Sequence, residues 1–166
     1  MSPSRKLLVI AGLLLAVIGM IYGLWYAVFD EHQTLESMGG ALANGFVQAA
    51  DRSLPSAYAA LEQFSVISAE YVREVHAHSH WITLGLVLLA LGMAFERVNY
   101  SESVRLALAV VLVIGSAVFP LGVLLQAMSF GLLAKVMSVL GSMAIIISFA
   151  AITLGLLLPD KQAIKD

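Results

Sequence analysis

EVHAHSHWITLGLVLLALGMAF, residues 74–95, alternates three histidines, His76, His78 and His80, and then runs to Phe95 without a charged side chain. The apolar part, Trp81–Phe95, is short for a membrane crossing. Spanning about 30 Å of hydrocarbon takes about 20 helical residues at 1.5 Å each. This helix must therefore borrow length at its histidine-bearing end. The expectation is a membrane helix that continues outward instead of stopping at the membrane.

Working outward, three further apolar runs are long enough to span a bilayer. The four segments are 7–29, 81–97, 104–126 and 130–158. The chain has 166 residues, 60% hydrophobic and only 12% charged, and its mean hydropathy of +0.93 is that of a membrane protein. The fold class expected is an all-α integral membrane protein, a single domain over 1–166, with four transmembrane helices. The first run has Arg5 and Lys6 before it, as a secretory signal would. It is too long for a signal core and carries Tyr22, Trp25 and Tyr26 as interfacial anchors, so it reads as an uncleaved helix. There are no cysteines, which excludes disulfides and thiolate metal sites. A net charge of −2 offers no basic surface to nucleic acid.

Lysine and arginine set the expected orientation. Arg5, Lys6, Arg97, Arg105, Lys161 and Lys165 fall on one side. The segment 30–80 has only Arg52 and Arg73 against Asp30, Glu31, Glu36, Asp51, Glu62, Glu70 and Glu74. Both termini are expected to be cytoplasmic, and the long segment outside, in a bacterial inner membrane. Lys135 stands near the outer end of the last helix, within snorkelling reach of the surface.

The segment 30–80 is patterned as two helices. Leu35, Met38, Leu42 and Phe46 recur at helical spacing, as do Tyr58, Leu61, Phe64, Tyr71 and Val75. Between them lies DRSLP, residues 51–55, with Ser53 as an N-cap and Pro55 in the first turn. Gly39, Gly40 and Gly45 weaken the first arm. Helices 1 and 2 are thus expected to extend into an extracytoplasmic antiparallel helical hairpin, each arm about 20 residues or roughly 30 Å long. With the tip at 52 or 53, the numbers of facing residues add to about 105. His32 then faces Arg73 and His76, Trp25 faces His80, and Glu36 faces Glu70.

That register suggests a metal site. His76 and His80 share a helical face, as do Glu74 with His78 and His32 with Glu36. Two imidazoles four residues apart can hold one metal ion. Adding His32, with Glu36 or Glu74, gives three or four ligands for copper or zinc. Against this, the alternating spacing spreads the three histidines around the helix, and interfacial histidines are common.

HSHWITLG, residues 78–85, reads His78-x-His80-x4-Gly85, and FPLG, residues 119–122, is a Pro-Gly break in a later helix. These stretches resemble small membrane proteins related to the large subunit of haem-copper oxygen and nitric oxide reductases. The resemblance covers about 45 residues and implies one haem-ligand position, His78 or His80. No histidine follows His80, so the complete oxidase site is absent. A second axial ligand would be His32, or Met128 in a His/Met arrangement. Covalent haem is excluded, because there is no Cys-x-x-Cys-His.

Pro120 should kink the third membrane helix, while Gly122 there and the stripe Gly131, Ser138, Gly141 and Ser142 in the fourth read as packing features. Glu96 and Glu102 beside Arg97 and Arg105 read as a solvated cytoplasmic turn. No Walker loop, nucleophile elbow or HExxH motif is present, and the apolar runs carry no acids in their interiors. The function expected is transition-metal binding (copper or zinc, or haem) at the outer membrane face, serving a redox complex or metal handling. The alternative is a non-catalytic accessory subunit whose hairpin docks in a membrane complex or forms a homo-oligomer.

Overall fold

A computed structural model describes residues 1–128 and 130–159. Lys161 and Lys165, used above for orientation, lie outside the described residues. The order is α1 (Pro3–Phe29), α2 (Glu31–Ala50), α3 (Leu54–Ala94), a 3₁₀ turn (Phe95–Arg97), α4 (Glu102–Ala127) and α5 (Gly131–Leu157). No strand occurs among the described residues. Four helices (α1, α3 with its 3₁₀ turn, α4 and α5) are long and apolar enough to cross a membrane. Their outward faces carry Leu13, Val17, Ile21, Ile146, Ile147 and Leu154 exposed, as lipid contact requires.

Helix α1 begins at Ser2, whose hydroxyl accepts the Arg5 amide at 3.4 Å, with Pro3 at the first helical position. It breaks for a single residue at Asp30, and α2 follows at once. The tip is tighter than its sequence suggests. Arg52 takes a left-handed backbone (φ 58°), and the Ser53 amide donates to the Gln48 carbonyl. Ser53 does not cap α3 through its side chain; its hydroxyl donates to that of Ser56 instead.

Helix α3 packs against α1, α2 and α4, and α4 packs against α5. The core between them contains Leu8, Leu15, Trp81, Leu88, Leu112 and Ile145. Glycines set the closest approaches. A Cβ on Gly12 would meet the Gly85 carbonyl oxygen at 2.7 Å, and one on Gly141 would meet the Phe119 amide nitrogen at 2.6 Å. Small residues at such crossings let the backbones touch, which is how helices associate where lipid removes the hydrophobic drive.

The turn is solvated as expected, with Glu96 and Arg97 exposed, and it also ties α1, α3, α4 and α5 together. Glu102 accepts the Ser4 amide at 2.9 Å and pairs with Arg105 at 2.8 Å. Arg5 pairs with Glu96 at 3.3 Å. The Asn99 side chain donates to the Leu158 carbonyl at 2.7 Å and the Tyr100 hydroxyl to that of Ala151 at 3.1 Å. Glu102 thereby satisfies an orphan amide in the first turn of α1, and Asn99 the carbonyl that closes α5.

The hairpin register is not uniform. Near the tip, a Cβ on Gly45 would lie 3.7 Å from that of Ala60, a pair adding to 105 as expected. Deeper, Gly23 meets His78, Gly19 meets Ile82 and Gly12 meets Leu89, pairs that all add to 101. The slip of four residues is about one helical turn, or 5.4 Å. A cysteine pair at Gly45 and Ala60 has the Cβ separation of a disulfide, about 3.5–4.5 Å. It should oxidise nearly completely within one chain, as a gel-mobility shift; a pair at Leu35 and Glu70, also adding to 105, should not. The reverse ordering would reject this seam.

Candidate functional site

Helix α3 sends its three histidines two ways. His76 and His80 lie on one face with ring centroids 6.0 Å apart, and His80 packs on the Phe119 ring of α4 at 4.9 Å. Trp81, one residue on, donates to the Ala117 carbonyl at 3.4 Å. His78 turns toward α1. It covers Gly23, lies 6.4 Å from the Tyr22 ring and places Nδ1 3.2 Å from the Glu74 carbonyl oxygen. The two faces follow from about 100° of rotation per residue.

His32 does not join them. It is exposed on α2, as is Glu36. No group of three or more His, Asp or Glu among the described residues, His32 with His76 and His80 included, is placed to hold a metal ion. Glu74 points elsewhere, toward Tyr26. Met128 caps α4 and is exposed. Trp25 is exposed beside Tyr22 and Phe29, not against His80. The structure thus keeps His76 with His80 and separates His32, Glu36, Glu74 and His78 from that pair.

The two flanks of the hairpin differ in chemistry. One is a cavity of about 290 Å³ lined by Leu42, Gly45, Phe46, Leu54, Tyr58 and Leu61, almost wholly apolar. Phe46 is 69% and Tyr58 70% exposed. The other is a polar pocket of about 300 Å³ lined by Gln33, Thr34, Ser37, Glu70, Tyr71 and Glu74. There Tyr71 donates to Glu31 at 3.5 Å. Burial beneath this pocket, with Asp30 and Glu70 adding like charge, holds the Glu74 carboxyl above the usual carboxylate range against the opposing Tyr26 hydroxyl.

The sequence pattern missed what divides the flanks. The seam between α2 and α3 is built from small residues, with Ala41 and Ala60 buried and Gly45 against Ala57 and Ala60. The large residues of the same periodic pattern are therefore left outside. Ala41-x3-Gly45 opposite Ala57-x2-Ala60 was the available signal. No family model, curated protein or solved structure matches this chain.

Proposed function

We propose that this is a four-span protein of the bacterial inner membrane, with both termini inside, whose outer hairpin docks a second copy of the chain. The carrying observation is the apolar flank around Phe46 and Tyr58. Counting about 20 residues outward from Leu7, Phe95 and Val104 puts the outer hydrocarbon boundary near Tyr26, Val75 and Leu124. The tip, more than 20 residues beyond it on α2, then stands in water. An isolated two-helix hairpin has no third layer to cover such a flank.

The occupant follows from area and symmetry. The exposed parts of Leu35, Leu42, Phe46, Leu54, Tyr58 and Leu61 come to roughly 600 Å² per chain, and a specific interface needs about 1,000 Å² in total. Two copies in one membrane share a two-fold axis along its normal, which brings equal flanks together at equal height. The protein purified in mild detergent should therefore have the mass of two chains by light scattering after detergent subtraction. A strictly monomeric particle at micromolar concentration would reject the reading.

Orientation has its own test. A cysteine at Ser53 should react with an impermeant thiol reagent in intact cells, and one at Arg97 only after lysis. The opposite labelling would invert the topology.

A second reading, copper, zinc or haem binding, rests on the His76–His80 pair. By periodicity His32 shares its face of α2 with Phe46, and His76 shares its face of α3 with Tyr58, near four and five turns away. Docking through the apolar flank would add histidines of the second copy to the pair, supplying ligands that the described residues of one chain do not assemble. Metal analysis with an optical spectrum of the purified protein tests this. His80→Ala should remove most of any bound transition metal, whereas His78→Ala should be the damaging change for a haem. Protein without metal or haem, or metal retained in full by every variant, would set the reading aside.

A further inference from the structure

We propose that His76 and His80 of one chain hold a single monovalent copper ion, Cu(I), as its two ligands, an assignment that rests on the metal reading above and fixes its metal and stoichiometry. Geometry is the first support. The two rings lie on one face of α3 with centroids 6.0 Å apart. A metal stands about 2.0 Å from an imidazole nitrogen, and the ring centroid about 1.1 Å behind that nitrogen. Two rings on one metal are then about 6.2 Å apart in a linear arrangement and about 5.1 Å apart in a tetrahedral one. The observed separation is close to the linear value. Linear coordination by two neutral nitrogens suits closed-shell Cu(I), whereas Zn(II) takes four ligands and Cu(II) a square of them.

The surroundings select the same ion. No third His, Asp or Glu among the described residues completes a group with the pair. Glu74, the carboxylate closest in sequence, is turned toward Tyr26. The pair therefore offers no negative charge to a cation. Arg73, one turn outward from His76, adds a positive one.

His80 is half-buried and stands about 6 Å inward of His76 along the helix, at the outer edge of the hydrocarbon. The cost of taking an ion out of water grows with the square of its charge, so a divalent ion costs about four times as much there as a monovalent one. What surrounds the pair is apolar. Ala77 and Trp81 are buried beside it, and the Phe119 ring is 4.9 Å from His80. An aromatic ring in that position attracts a cation without supplying a ligand. His76 is exposed, which gives the ion a way in.

The test uses the full chain in mild detergent with ascorbate present. The protein is titrated into the coloured Cu(I)–bicinchoninate complex, and separately into a zinc indicator loaded with Zn(II). One Cu(I) per chain should transfer, while Zn(II) should stay with its indicator. His76→Ala and His80→Ala should each weaken Cu(I) binding by at least about a hundredfold, because half of the coordination is lost. His76 is exposed, so its replacement leaves the packing intact. His78→Ala should bind as the parent does. X-ray absorption of the copper-loaded protein should count two nitrogen neighbours. The Phe46→Glu, Tyr58→Glu double variant should keep one Cu(I) per chain. Loss of copper in that variant would mean that the second copy supplies ligands, and would overturn the two-ligand site. Zn(II) or Cu(II) held as tightly as Cu(I), and lost with His80, would overturn this assignment but leave the metal reading standing. No binding of any of the three ions would overturn both.

Discussion

Gly85→Leu should leave no folded protein. Gly85→Ala alone should lower stability by about 1–3 kcal/mol, the usual cost of overpacking a close contact. A Cβ at this position would meet the Gly12 carbonyl oxygen at 2.7 Å, the Ala16 amide nitrogen at 2.8 Å and the Ala16 Cα at 3.2 Å. All three are main-chain atoms of α1, so no side chain can swing aside. The helices would have to part, and the contacts of Leu8, Leu15 and Leu88 along the same interface would loosen with them. A leucine adds three more carbons to the same clash, which places it beyond the roughly 4–5 kcal/mol that a marginally stable domain tolerates. Gly40→Ala is the contrast. A Cβ there meets nothing within 4 Å, so it should stabilise α2 by up to about 1 kcal/mol through helix propensity. Thermal unfolding in detergent, followed at the helical circular dichroism band, separates the cases. Equal melting of Gly85→Ala and the parent protein would mean that α1 and α3 do not cross there.

Much of the architecture was readable because it depends on composition. The four spans follow from hydropathy alone, and the turn at 51–53 follows from DRSLP between two periodic arms. What sequence could not supply was how closely the arms approach. The helical spacing picks out large apolar residues, but Ala41, Gly45 and Ala60 form the seam, and Phe46 and Tyr58 are left outside. Small residues allow a closer approach, and the register then slips from 105 near the tip to 101 in the deeper crossing. The three-ligand site depended on that register. His76 and His80 come together because their pairing is local to one helix, whereas a pairing with His32 needs two helices in register and no such group forms among the described residues. The polar pocket had no sequence signature, since Tyr26 meets Thr34 and Glu74 only after α1 breaks at Asp30 and α3 packs behind it.

Phe46→Glu combined with Tyr58→Glu should convert the proposed dimer into a monomer. The two side chains project from opposite walls of one groove and are among the most exposed large apolar groups of the hairpin. In a two-fold pairing each appears twice, so the double variant changes four central contacts. Aromatic residues at the centre of an interface cost about 2 kcal/mol or more each when truncated. Even with imperfect additivity the dissociation constant should rise by at least about a thousandfold. Four carboxylates brought together would add repulsion. The fold should survive, because neither residue belongs to the Ala41–Gly45–Ala60 seam or to the core beneath Trp81. Light scattering in detergent should thus report one chain for the variant and two for the parent, with the same melting temperature at high dilution. A Tyr58→Cys variant offers an independent check, since the parent chain has no cysteine. It should form a disulfide between copies in native membranes, in proportion to protein density. If the double glutamate variant still runs as a dimer, the copies meet through the lipid-facing helices instead, and the apolar flank must be covered by a different chain.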